Sequence, residues 1–433
     1  MHRFVRHSLY ALCLAWSCIF LVALVQAQDQ PKEPPKDFEQ DEEGFQKARE
    51  AWFYGQRAYP HKTVPPGARL KAWQQMQVRL AAEQAARSRG NASDVGSWQL
   101  IGPATMNGYW GPNSGRVSAV AVDPANNQIV YAGAAQGGIW KTTNGGAAWT
   151  PLTDMQASLA TGSIAIDPQN HLTIYVGTGE ENNSGDSYYG EGILKSTDGG
   201  NTWTNIPGQF AGGGGGGARI GGLAVQPNNS SVVLAAVGCC APGPSGVYRS
   251  ADAGQTWTQV LNVNYSQAYN VIFDPNTPTT AYASINGDSV YKSTDGGNTW
   301  TAANGSGATA LPLSGSGRVA LAMDPNATTT LWAAIASNTH NDLAGLFKTT
   351  DGGNTWTNLP NTPDFCEGQC WYDLALAVQP GNSNVIFAGG AQNSSGSVVQ
   401  SLDGGNTWTI YANIHPDAHA FVFTPDGSIL YSL

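Results

Sequence analysis

The chain has 433 residues, 53 of them glycine, with only 12% charged residues and a formal net charge of −10. A chain of this length holds an ample core in one large domain or repeat array. Its acidic balance argues against a nucleic-acid binder, which needs basic residues to neutralise phosphates. Arg3 and Arg6 precede an apolar run from Leu9 to Val25, and Val25-Gln26-Ala27 reads as a cleavage site before Gln28. Residues 1–27 are therefore expected to be a signal peptide, giving a secreted or periplasmic protein with no membrane span after cleavage. Residues 28–96 read as a linker and helical arm. Pro31 to Pro35 is extended, and Asp37 to Tyr59 and Gly67 to Arg89 carry helical periodicity with Phe45, Trp52, Phe53, Trp73, Met76 and Leu80 as apolar contacts.

Residues 97–433 are repetitive. One phrase occurs six times, as KTTNGGAAWT, KSTDGGNTWT, RSADAGQTWT, KSTDGGNTWT, KTTDGGNTWT and QSLDGGNTWT, with its tryptophans at Trp149, Trp203, Trp257, Trp300, Trp356 and Trp408. The spacings are 54, 54, 43, 56 and 52 residues, which suits propeller blades. Asp and Ser/Thr side chains bond nearby backbone N–H groups and hold a tight turn, paired glycines supply positive φ, and the tryptophan anchors the next strand. These turns are folding devices and are not expected to form the site.

Upstream of each turn lies a strand–turn–strand phrase, such as VAVDPANNQIVYAG from Val120, with a seventh copy, FVFTPDGSILYSL, from Phe421. Each full unit reads as four strands, so seven phrases predict an all-β, seven-bladed propeller. Its last blade is expected to be incomplete at Leu433 and to be closed by the N-terminal strand around Trp98.

Ligands of such rings sit at one mouth of the central channel, near the starts of the inner strands. His415, Asp417 and His419 alternate just before the seventh inner strand, so their side chains share a side. Three readings stay open: they hydrogen-bond one another, hold a divalent transition metal, or act as an acid–base pair. The sequence requires no cofactor. Trp371-Tyr372-Asp373 opens the sixth unit with aromatics beside a carboxylate, a composition that suits sugar stacking or a peptide. The second unit carries Glu180, Glu181, Asp186, Tyr188 and Tyr189 on a long polar insertion. Arg116, Arg219 and Arg318 precede alternate inner strands, which is expected to separate them around the channel. Candidate ligand contacts are Arg116, Tyr188, Tyr189, Trp371 and Tyr372. Of the cysteines, Cys366 and Cys370 could pair across a short loop, and the adjacent Cys239 and Cys240 have several options.

The turn phrase resembles the Asp-box or BNR repeat, in full as Ser196, Asp198, Gly200, Thr202 and Trp203. With GRVSAVAVDP, GGIWKTTNGG, CWYDLALAV and HPDAHAFVF, the chain from Trp98 onward resembles bacterial secreted propellers of the sortilin-like glycosidase type. Sialidases share Asp-boxes, but their Phe/Tyr-Arg-Ile-Pro phrase and a clear Tyr–Glu nucleophile pair are absent. The resemblance implies a binding module for an extracellular glycan or an exported protein. Its alternative is an inverting glycoside hydrolase like the two-propeller xyloglucan hydrolases. Asp373 and Asp417 would then be the catalytic carboxylates, with Glu180 or Glu181 as substitutes.

Overall fold

The structure, a computed structural model, describes residues 67–88, 106–108, 111–113 and 115–432, apart from 183, 185–186, 212–216, 239–244, 264–265, 313, 392–395, 412–413 and 415–416, with a few isolated positions between 51 and 65. Cys239, Cys240, Asp186, His415 and the strand expected around Trp98 lie outside the described residues.

Each full repeat folds into a four-stranded antiparallel sheet whose strands follow one another in chain order. The blades span 117–151, 161–206, 220–262, 268–302, 316–358 and 375–411. The first strand of each lines the channel and the fourth follows the turn phrase. The expectation of seven blades is overturned: six complete blades form among the described residues. The seventh phrase gives only a two-stranded sheet, Phe421–Phe423 with Leu430–Ser432. The physical reason is local. The strand–turn–strand phrase encodes just the first two strands, and the third strand and turn phrase that complete a blade have no seventh copy. The N-terminal residues Met106–Gly108 and Gly111–Asn113 pair with each other in their own two-stranded ribbon.

The core lies between neighbouring blades. One layer joins blades two and three through Tyr175, Ile220, Val233 and Tyr248, and another joins blades five and six through Trp332, Leu346, Ile386 and Val399. The turns hold the outer rim. In blade two, Ser196 Oγ donates to Asp198 Oδ1 (2.8 Å) and accepts from Gly200 N–H (2.8 Å). Thr202 donates its amide to Asp198 Oδ1 (2.9 Å) and its hydroxyl to Oδ2 (2.6 Å). Blades three to six repeat this pattern. Blade one has Asn144 and Ala148 in place of Asp and Thr, and keeps the amide bond without the hydroxyl one.

The same turns lock adjacent blades. Tyr131 Oη (3.1 Å) and Lys141 Nζ (2.8 Å) of blade one both donate to the Gly199 carbonyl in the turn of blade two. Tyr175 and Lys195 do the same to Ala253 of blade three, and Tyr282 and Lys292 to Gly352 of blade five. The helix Ala68–Ser88, where the periodicity placed one, docks on the connection between blades one and two and on the blade-two loop. Trp73 Nε1 donates to the Met155 carbonyl (2.8 Å) and Arg69 Nη1 to the Tyr189 carbonyl (3.0 Å).

Candidate functional site at the channel mouth

Every unit brings a polar or aromatic group to the end of the channel where the first strands begin. Arg116, Arg219, Tyr269, Arg318, Asp373 and His419 come from the first-strand entrances of all units but blade two. Blade two supplies a loop from the end of its second strand. At Gly179 the backbone takes φ +86°, a conformation that favours glycine, and the chain leaves the sheet. Glu180 N–H then donates to the Tyr188 carbonyl (2.9 Å), closing the neck of the loop.

The loop and the ring meet through three arginines. Arg116 Nη2 lies 2.6 Å from Glu180 Oε2, an ion pair whose acid is fully buried. Arg219 Nη2 donates to the Ser187 carbonyl (2.7 Å), with its guanidinium 4.7 Å from the centre of the Tyr189 ring. Arg318 Nη2 donates to Asn182 Oδ1 (3.1 Å), and its Nη1 donates to the Tyr372 carbonyl (2.6 Å). One guanidinium thus ties the blade-two loop to blade six while stacking on Tyr269 at 4.8 Å. The arginines do not stand apart as their alternate positions suggested. Arg219 and Arg318 both act on Glu181, and Arg116 and Arg318 both act on Asp373. The long reach of arginine and the inserted loop account for the difference.

Two carboxyls here are buried against solvation. Glu181 is 4% exposed, and its carboxyl is pushed up to about 8 because burial outweighs the attraction of Arg219 and Arg318. It lies over two glycines. A Cβ at Gly238 would overlap Glu181 Oε1 and Cδ, and one at Gly221 would sit 2.6 Å from its Cγ. Asp373 is 0% exposed and pushed up to about 9, first by burial and then by the neighbouring Asp417 carboxyl, with Arg318 and Arg116 opposing. His419 Nδ1 lies 3.1 Å from Asp373 Oδ1, and the His419 ring meets Tyr372 edge-on at 4.8 Å.

Trp371 and Tyr372 follow a short loop closed by the Cys366–Cys370 disulfide. Their rings lie 5.4 Å apart, and both residues stay partly exposed, as do Tyr188 and Tyr189. Arg116 sits 5.8 Å from the centre of the Tyr372 ring. Asp417 takes φ +72°, a strained backbone for a non-glycine residue. Of the expected metal trio, Asp417 and His419 both approach Asp373, and His415 lies outside the described residues. Among the described residues, the three-donor grouping is Asp364, Cys366 and Cys370, whose cysteines are bonded to each other. Below the mouth, a cavity of about 400 Å³ follows the channel, with Glu181, Asn182, Tyr269, Arg318 and His419 among its lining residues. The sequence reading did not count Arg219, Arg318, Asn182, Tyr269 or Arg69 as site residues. For Arg219 and Arg318 the signal was the recurrence of arginine at the start of inner strands, and Asn182 lay in the polar insertion; Tyr269 and Arg69 carried no such signal.

The fold and this mouth place the chain among Asp-turn β-propellers. Residues 245–397 match the Sortilin-Vps10 family model, described as sortilin, neurotensin receptor 3. The chain is 26% identical over 260 residues to a xyloglucanase of Paenibacillus sp, covering 58% of this chain and 22% of that protein. It is 26% identical over 335 residues to a probable oligoxyloglucan-reducing end-specific xyloglucanase of Neosartorya fischeri, covering 74% and 31%. Among solved structures, a GH74 xyloglucanase from Xanthomonas campestris superposes with a TM-score of 0.57 at 20% identity, covering 73% of this chain and 50% of that one. A Niastella koreensis GH74 enzyme gives 0.54 at 27% identity, covering 72% and 50%. The chain is thus similar to sortilin-like and xyloglucanase-like propellers, and spans half the length of these solved enzymes and less than a third of these two curated relatives.

Proposed function

We propose that this propeller is an exported glycan-binding module that takes a xyloglucan-type chain on the mouth formed by Trp371, Tyr372, Tyr188 and Tyr189. The observation that carries the reading is the division of exposure at the mouth. Glu180, Glu181 and Asp373 are 0%, 4% and 0% exposed, while the four aromatics stay partly exposed. A general acid must reach the glycosidic oxygen, and these carboxyls are packed inside protein. Aromatic faces beside polar groups are what a sugar ring stacks on. The similarity to xyloglucanases favours a β-glucan over a protein partner. The disulfide suits the oxidising compartment that a signal peptide implies.

The competing reading, an inverting hydrolase using Asp373 and Asp417, requires carboxyls roughly 6.5–9.5 Å apart with a water between them. Asp417 instead stands beside Asp373, whose proton is held by burial first and by the neighbouring Asp417 carboxyl second. The test measures xyloglucan binding by calorimetry and reducing-end release in the same sample. The expected result is binding without release, weakened about tenfold in Trp371→Ala. That factor corresponds to about 1.4 kcal/mol, the order of one aromatic stacking contact. Reducing ends that appear with wild type and vanish in Asp373→Asn would overturn the reading in favour of hydrolysis.

A further inference from the structure

Glu181 is the group at this mouth that the binding surface does not use. Neither of its carboxyl oxygens meets a hydrogen-bond donor among the described residues. The groups facing it are Arg219 of blade three, Arg318 of blade five and Tyr269 of blade four. On its own loop, Glu180 is already paired with Arg116, and Asp373 also feels the charge of Arg318. Both facing arginines donate elsewhere. Arg219 holds the Ser187 carbonyl, and Arg318 holds Asn182 and the Tyr372 carbonyl. Those bonds fix the blade-two loop to the ring and fix the peptide between Tyr372 and Asp373.

We infer that Glu181 is a proton-held latch: protonated, it leaves Arg219 and Arg318 on the loop and on Tyr372, and ionised, it draws one of them away and loosens the mouth. The step is a proton loss from the Glu181 carboxyl to solvent and an exchange of hydrogen-bond acceptors, with no covalent change. An ionised carboxylate without a donor is costly in a buried site, and the guanidinium N–H groups of these two arginines are the charged donors that face it. A guanidinium that turns to Glu181 gives up a backbone or amide oxygen of the mouth. Burial holds the Glu181 proton up to about 8, so release falls in the mildly alkaline range. The consequence for ligand affinity rests on the glycan-binding reading above, whereas the latch itself does not.

The experiment follows hydrogen–deuterium exchange of segment 179–192, corrected for the intrinsic pH dependence, from about pH 6.5 to about pH 9.5, with xyloglucan affinity measured across the same series. Wild type is expected to lose about tenfold in protection across this range. Glu181→Gln keeps its protection throughout. Arg318→Lys, which cannot hold Asn182 and the Tyr372 carbonyl in one planar fork, has lower protection at every pH and a weaker pH dependence. Protection that is flat in wild type, or that falls equally in Glu181→Gln, overturns the latch. If Glu181→Gln does not fold, a pH dependence in Arg318→Lys as steep as in wild type overturns it instead. A protection change without xyloglucan affinity at any pH leaves the latch standing and removes the glycan reading. Affinity without a protection change does the reverse.

Discussion

Gly238→Ala is a small change that reports on the packing around Glu181 at the mouth. The added methyl overlaps Glu181 Oε1 and Cδ. A carboxyl in open space would swing aside, but Glu181 is 4% exposed and its Cγ packs so closely over Gly221 that even a Cβ there would lie only 2.6 Å from it. Overpacking a site that cannot relax costs about 2–3 kcal/mol. Glu181→Ala alone removes the side chain and leaves a void, for about 1–2 kcal/mol. If the two groups collide, the double variant is more stable than the sum of the singles predicts, by about 1–2 kcal/mol, because the methyl then occupies the space of the lost carboxyl. Urea denaturation of the four proteins at neutral pH measures the coupling. Additivity within about 0.5 kcal/mol would show that Glu181 does not occupy the space beside Gly238, and the packing of the mouth described above would be wrong.

The other predictions concern backbone strain and protons. Ala253 occupies a turn position where the other boxes carry glycine, and its φ is +58°; Ala253→Gly is expected to stabilise the protein by about 1 kcal/mol, and an unchanged or lower Tm would refute this. Glu181 keeps its proton up to about 8 against an ordinary 4.5, so between those pH values the folded chain binds a proton that the unfolded chain has released. Stability due to this group therefore falls as pH rises through the window and is flat above it; Glu181→Gln should remove that slope in pH-dependent denaturation. The turn aspartates carry the opposite sign. Asp198, Asp252, Asp351 and Asp403 are each held down to about 2, chiefly by the hydroxyl of the threonine four residues on. Their contribution is complete above the ordinary value near 4 and is lost as pH falls toward 2. Thr202→Val should raise the Asp198 titration alone, as read by carboxyl carbon NMR, and an unmoved Asp198 would discredit the hydroxyl as the cause.

The blades were legible because each is specified locally. The six turn phrases carry their own hydrogen-bond partners within a few residues, and Ser196, Asp198 and Thr202 bond as their spacing requires. The blade number was misread because the seventh phrase forms only a two-stranded sheet among the described residues. The Cys366–Cys370 bond was readable as an option from a four-residue separation. The mouth was legible only in composition. Glu180, Glu181, Tyr188, Tyr189, Trp371, Tyr372, Asp373 and Arg116 were singled out, but not which of the mouth residues meet, since Arg318 reaches Asn182 across 136 residues of chain. No local pattern encodes such a contact. Nor does composition reveal that Asp373 would be buried beside a second acid rather than turned to a substrate.

The rim and the mouth use charge in opposite ways, and this contrast bears on which end has been shaped for recognition. At the rim, turn aspartates such as Asp198 and Asp403 are partly exposed and saturated with donors, an arrangement that supports folding and asks nothing of the rest of the ring. At the mouth, Glu181 and Asp373 are buried with poorly satisfied oxygens among three arginines. Replacing such buried charges by apolar groups of similar volume is often neutral or stabilising, so global stability does not explain why they are there. What the cluster does achieve is to set the arginines: Glu180 holds Arg116, the Ser187 carbonyl holds Arg219, and Arg318 ties Asn182 to the backbone at Tyr372. A mouth whose aromatics are held by charges that could be exchanged for a simpler core is built for position, and position matters where a ligand has to fit.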